Sequence, residues 1–220
     1  MFSRVFAILI ALVVIAPVPA HSADLVSSPD KEVLERALYR LGIPVGKVDG
    51  IFDGQTKRAM CVWRELTGRG KSRALPHGTD YIDVLDTQYL FPTPQQHLGL
   101  NVNLTCQSAY WLREDVNNPI TIFKTSTGRK EFPTNPGDYK VQWAIDDWYE
   151  SKEFPDGWMY RPMFFNRGEA LHGSENDSMV HSYPASHGCV RMLHKDMDYI
   201  WSQGFGKGSI VHVYGKWNFS

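Results

Sequence analysis

Between Ala170 and Met192 the chain reads ALHGSENDSMVHSYPASHGCVRM, which gathers His172, His181 and His187 around Cys189. A cysteine attacks as its thiolate, and an imidazole is the usual neighbour that removes the proton. Gly188, directly before Cys189, permits a tight turn whose successive backbone N–H groups face one point, where they would stabilise the oxyanion of a tetrahedral intermediate. The chemistry these residues suit is nucleophilic acyl transfer. His172, His181, His187 and Cys189 are also competent zinc ligands, so a zinc-dependent peptidase is the rival reading, although neither HExxH nor CxxC spacing is present.

The first 23 residues set the compartment. Arg4 precedes an unbroken apolar run from Val5 to Ala16, followed by Pro17, Pro19, Ala20 and Ala23. This is the pattern of a secretory signal peptide, and the run falls short of the ~20 residues that span a bilayer. The expectation is an exported protein in the cell wall, periplasm or extracellular space, touching membrane only through this segment. In an oxidising compartment the three cysteines, Cys61, Cys106 and Cys189, leave an odd thiol. Cys61 and Cys106 are the expected paired or separately buried thiols, and Cys189 the free one.

Charge excludes one class of partner. The chain has 23 basic and 24 acidic side chains for a net charge of -1. They are spread evenly, so the clustered Lys and Arg that bind nucleic acid by counterion release are missing. With 43% hydrophobic residues, disorder is also excluded.

Two kinds of element must position the reactive residues. From Ser28 to Gly68 the pattern is helical. Ser28 and Pro29 open a helix whose stripe is Val33, Leu34, Ala37, Leu38 and Leu41; after the turn Asp49-Gly50, Asp53 caps a second with the stripe Thr56, Ala59, Trp63 and Leu66. Residues 24–68 therefore form a small helical domain, and 69–96, rich in Pro and Gly, a loosely packed linker with a short helix around Asp80 to Leu90. From 97 to 220 short strands dominate: Leu100 to Leu104 with period two, Ile120 to Phe123 after the Asn117-Asn118-Pro119 turn, Tyr139 to Ile145, Met163 to Phe165 and Ile210 to Tyr214. One helix, Lys195 to Gln203, stands among them. The fold class is a mainly β catalytic domain, an antiparallel sandwich or barrel-like sheet, preceded by a small α-helical domain.

Two resemblances sharpen this. LERALYRLGIPVGKVDGIFDGQTKRAM, residues 34–60, resembles the small peptidoglycan-binding domain found beside bacterial wall enzymes. Ser186-His187-Gly188-Cys189-Val190-Arg191, with Leu171-His172-Gly173 upstream, resembles the catalytic signature of the YkuD-like L,D-transpeptidases, which cross-link peptidoglycan stems through a cysteine. The stretch Gly99 to Gln107 is similar to that family's opening strand and Thr125-Ser126-Thr127-Gly128 to its early turn, so the likeness covers about residues 98–215.

The resemblance implies that Cys189 is the nucleophile and His172 its general base, with the Gly173 carbonyl orienting the imidazole. His187 and Ser186 would support the site with Gly188, and Arg191 would steady the loop or meet a substrate carboxylate. His181 has no implied role. The implied reaction forms a thioester on a tetrapeptide stem with release of the terminal D-alanine, then transfers the acyl group to an amine; water as acceptor would make an L,D-carboxypeptidase. No cofactor is needed, and carbapenems are expected to acylate Cys189. The helical domain would hold the enzyme on the polymer without joining the chemistry, so that a chain lacking residues 24–68 keeps activity on soluble stem peptides.

Overall fold

A computed structural model describes residues 28–94, 96–114, 120–154 and 157–219. The expected signal segment 1–23 and the Asn117-Asn118-Pro119 turn lie outside the described residues. In chain order the elements are α1 (Ser28–Arg40), α2 (Gly54–Leu66), α3 (Asp80–Asp86), β1 (Gly99–Asn103), β2 (Ser108–Leu112), β3 (Ile120–Lys124), β4 (Gly137–Lys140), β5 (Trp143–Ala144), β6 (Trp148–Glu150), β7 (Trp158–Asn166), β8 (Glu169–Gly173), β9 (Val190–Met192), α4 (His194–Ser202) and β10 (Ile210–Tyr214). No helix among the described residues is long and apolar enough to cross a membrane.

Asp53 caps α2 as its sequence predicts. Its carboxylate accepts from the backbone N–H groups of Gln55 (2.7 Å) and Thr56 (3.1 Å), and its own N–H donates to Thr56 Oγ1 at 3.2 Å, a reciprocal capping box. Buried Glu35 on α1 then ties the Asp49-Gly50 turn to both helices, accepting from the Gly50 N–H at 2.9 Å and the Thr56 hydroxyl at 2.8 Å. The stripes are only half the story. Val33 is 46% exposed, while α2 is buried at ten of its 13 residues, including Arg58, Arg64 and Glu65. In sequence α2 has one apolar stripe; in the fold it runs between α1 and a sheet and has apolar or polar partners on nearly every side.

The strands form two mixed five-stranded sheets. The first has the order β3-β2-β1-β10-β4; the second has β5-β7-β8-β9, with β6 also pairing β7. The expected mainly β catalytic domain is present; most of its strand pairs are antiparallel, as expected, and β1 with β10 and β8 with β9 are parallel, so the sheets are mixed. The run expected as one strand from Tyr139 to Ile145 is divided between sheets: the Val141 N–H donates to the Ser209 carbonyl at 2.9 Å and the Gln142 N–H to the Phe164 carbonyl at 2.8 Å.

The first sheet is buried on both faces. Leu100, Val102, Val211 and Val213 pack toward Met163, Leu171, Val190 and Met192 of the second sheet and Met197 and Ile200 of α4. On the other face Tyr110, Leu112, Ile122 and Tyr214 join Leu34, Leu38, Met60, Trp63 and Leu66 of the helices in one core. Cys61 and Cys106 form a disulfide across this junction, and Cys189 is free. Buried Glu65 accepts from the Tyr110 and Tyr214 hydroxyls at 2.8 and 2.9 Å. Burial and the neighbouring carboxylate hold both phenols above the usual range.

Residues 69–96 are not a loose linker. The buried pair Arg64–Asp80 closes at 2.6 Å, Arg64 also donates to the Ser72 and Ala74 carbonyls at 2.9 and 2.8 Å, and Val84 of α3 enters the helical core. Gln96 donates to the Tyr214 hydroxyl at 3.0 Å. Pro and Gly in this segment set turns over a packed surface, which composition alone does not distinguish from a free joint.

Candidate active site

Strands β8 and β9 bring the two key side chains together. Their parallel register pairs Leu171 with Val190 and His172 with Arg191, so Cys189, one residue ahead of β9, meets the start of β8. Cys189 and His172 line one cleft of about 440 Å³ between the β7–β8 hairpin, the 129–136 loop and residues 151–154 and 157–158. Sγ accepts from the Ala170 N–H at 3.4 Å and donates to the Gly168 carbonyl at 3.6 Å. His172 is buried, and its Nδ1–H donates to the Gly173 carbonyl at 2.9 Å. That bond fixes the tautomer and leaves Nε2 as the lone-pair nitrogen.

Burial sets the protonation of both groups. It pushes the Cys189 thiol up to about 11, against a smaller lowering from the Ala170 N–H. It pulls His172 down to about 4, partly offset by the Gly173 carbonyl and reinforced by Arg191. At neutral pH the cleft therefore holds a protonated thiol and a neutral imidazole, not an ion pair.

The turn carrying Cys189 is closed by its own residues. Gly188 takes φ +107°, the left-handed region that a side chain disfavours. Ser186 Oγ donates to the Cys189 carbonyl and accepts from the Gly188 N–H at 3.2 Å. Arg191 is half-buried on β9, and its guanidinium donates to the Ala185 carbonyl at 3.4 Å, a bond that steadies the loop. His187 stacks on Phe154 (centroids 4.4 Å apart) and tilts against Phe132 (5.2 Å); it is a wall of the cleft, and its pKa is lowered by desolvation and by Arg129 and Arg191. Gly173 is a glycine for lack of room: a Cβ there would lie 2.4 Å from His194 Cδ2 and 3.1 Å from Tyr160 Cβ.

His181 stacks on Tyr183 instead of facing the cleft. Among the described residues no three His, Cys, Asp or Glu side chains are placed to hold a metal ion, so the rival set His172, His181, His187 and Cys189 does not converge. Three contributors were not legible in the sequence. Thr134 Oγ1 accepts from the Gly128 N–H at 2.8 Å and donates to the Gly188 carbonyl at 2.7 Å, spanning two segments of the site. Glu169, buried, accepts from the Asn135 N–H at 3.0 Å and from its side chain at 2.6 Å, and from Asn166 at 3.1 Å. Desolvation raises its pKa against those hydrogen bonds. Trp143 stacks on Phe164 (3.8 Å) beside Tyr149, and the three give the cleft an aromatic side. No spacing rule finds such contacts, which join residues 6 to 54 positions apart.

Comparison with known proteins places this geometry. Residues 97–213 match the family model for the L,D-transpeptidase catalytic domain, YkuD. The fold is similar to a crystal structure of an L,D-transpeptidase from Xylanimonas cellulosilytica (28% identity, TM-score 0.58, covering 90% of this chain and all of that one). It is also similar to an L,D-transpeptidase from Stackebrandtia nassauensis (21% identity, TM-score 0.54, 94% and 100% coverage). Comparison with curated proteins gave no match.

Proposed function

The chain belongs to the L,D-transpeptidase catalytic-domain family, and from that premise and the geometry of the cleft we propose that it is an exported peptidoglycan L,D-transpeptidase with Cys189 as nucleophile and His172 as general base. One observation carries the reading: Cys189 and His172 open into the same cleft with the histidine tautomer set by the Gly173 carbonyl, so that Nε2 is the atom able to take a proton.

Because the thiol rests protonated, proton transfer to Nε2 accompanies attack of Sγ on the carbonyl of the L-configured residue of a tetrapeptide stem. The Gly188 N–H is already given to Ser186 Oγ, so the remaining backbone N–H groups of the turn carrying Cys189 are the proposed donors to the developing oxyanion. The imidazolium returns its proton to the departing D-alanine, and a thioester remains. An amine of a second stem then attacks, giving its proton to His172 and regenerating the thiol; water in place of the amine is the L,D-carboxypeptidase branch. The helical segment 24–68 is the proposed contact with the polymer.

The test is intact-protein mass spectrometry with meropenem, with and without EDTA. Wild type is expected to gain the mass of one drug molecule on Cys189 whether or not chelator is present. Cys189→Ala should show no adduct, and His172→Ala should acylate on the order of a hundredfold more slowly. Absence of an adduct on wild type, together with loss of peptide cleavage in EDTA, would replace this mechanism with the metal-dependent one. Product analysis of muropeptides separates cross-linking from hydrolysis.

A further inference from the structure

Arg58 on α2 is wholly buried, yet its partners are three neutral oxygens: Gln55 Oε1 at 2.7 Å and the carbonyls of Thr125 (3.3 Å) and His181. Arg73 lies beside it and donates to the carbonyls of Ser182 at 2.8 Å and Cys106 at 3.0 Å. Burying a guanidinium beside a second, partly buried one is expensive, and burial with the Arg73 charge pulls Arg58 down to about 9 against a smaller raising by Asp53. Packing alone would favour an apolar side chain here.

What the arginine does is visible in the segments it joins. Thr125 and His181 stand at one end of a ladder that zips residues 125–129 onto 181–191. The Ser126 and Arg191 backbones exchange bonds at 3.1 and 3.0 Å, Ser126 Oγ donates to the Tyr183 carbonyl at 2.8 Å, and the Thr127 carbonyl accepts from the N–H groups of Ala185 (2.8 Å) and Ser186 (3.0 Å). Ser186 in turn holds the Cys189 carbonyl. The first turn of α2 presses on the same loop: a Cβ on Gly54 would fall 2.2 Å from Ser182 Oγ.

We infer that Arg58 is a positioning residue for the Cys189 loop, with Arg73 as its second, and that the helical segment is thereby a working part of the active site as well as a neighbour of it. Arg58 acts through Thr125 and His181 and touches no substrate. Its kinetic consequence rests on the reaction proposed above; its effect on the thiol does not.

The test uses the full chain with Arg58→Gln and Arg58→Lys, each checked for folding by near-UV circular dichroism and thermal unfolding. Displacing a nucleophile by even ~1 Å costs up to about a hundredfold. In Arg58→Gln, meropenem acylation and kcat on a donor tetrapeptide are expected to fall about 10- to 100-fold, with KM within about twofold. A loosened loop also admits water to Cys189, so the pH midpoint of its alkylation by iodoacetamide should move down toward the ~8.5 of a free thiol. Arg58→Lys, able to reach one carbonyl, should recover part of both.

A folded Arg58→Gln with wild-type acylation and alkylation profile overturns the inference. So does a loss that only tracks the unfolded fraction while the alkylation midpoint stays put. If Arg58→Gln does not fold, Arg58→Lys decides on the same readouts, and wild-type values there count against the role. Should wild type prove inert to meropenem and to stem peptides while the variants still shift the alkylation midpoint, the reaction is wrong and the positioning role stands.

Discussion

At the scale of single residues, the site keeps its reactive pair neutral. With His172 near 4 and Cys189 near 11, the form that the proposed mechanism uses, free imidazole with intact thiol, is the dominant one across the whole interval between. Lowering pH through about 4 protonates His172 and removes the base, so acylation should fall with an acid midpoint near 4, well below the ~6.5 of an ordinary histidine. A stopped-flow pH series of meropenem acylation checks this; a midpoint near 6.5 would show that His172 is solvated. A second residue-scale expectation concerns Gly173. Gly173→Ala drives a methyl into His194 and Tyr160, and overpacking of this kind destabilises by about 1–3 kcal/mol, read as a lowered urea midpoint. This scale was the most legible in the sequence. Cys189, His172, Gly173 and Ser186 were singled out from short strings through their family resemblance, and the structure brings Cys189, His172 and Ser186 to one cleft with the Gly173 carbonyl on the imidazole. Arg58 was not, since an arginine on a helix reads as solvated until the face opposite it is known to be covered.

At the scale of elements, the loop bearing Cys189 is held by neighbours distant in sequence, and Thr134 is the clearest case. Thr134→Val keeps the shape but strands the Gly128 N–H and the Gly188 carbonyl, both inside the fold; each unmet group costs about 1–3 kcal/mol. The variant should unfold at lower temperature and acylate more slowly, as measured by calorimetry and by adduct formation. Legibility is weaker here for a physical reason. β2 and β8 are buried at all five positions, so they lack the alternation that marks a strand with one wet face, whereas β1, β3 and β10 were found close to their true bounds. The single run from 139 to 145 reads as one strand because the crossing between sheets leaves no turn residue behind.

At the scale of the whole molecule, helices and first sheet share one core. This changes the outcome expected for removal of residues 24–68: the cut exposes Tyr110, Leu112 and Ile122 and deprives Cys106 of its partner, so the remaining chain should bind a hydrophobic dye and lose near-UV dichroism instead of retaining peptide activity. The Cys61–Cys106 bridge closes 45 residues, a loop length for which cross-linking contributes about 3–5 kcal/mol. The paired substitution Cys61→Ser, Cys106→Ser should lower the guanidinium midpoint accordingly while Cys189 stays reactive. The sequence singled out both cysteines, yet it left open whether they joined, because only the docking of α2 on the first sheet brings them together.

The place of β10 has a consequence in time. This strand follows all the other described strands in sequence, yet it sits between β1 and β4 in the interior of its sheet, pairing Leu100 with Val211. The sheet that supports the helices and the second sheet cannot close until that strand arrives. Pairings of such long separation are slow. A chain made N-terminus first therefore has Cys61 and Cys106 available to each other before Cys189 is added. Order of synthesis thus favours the bridge between the first two thiols and leaves the third over.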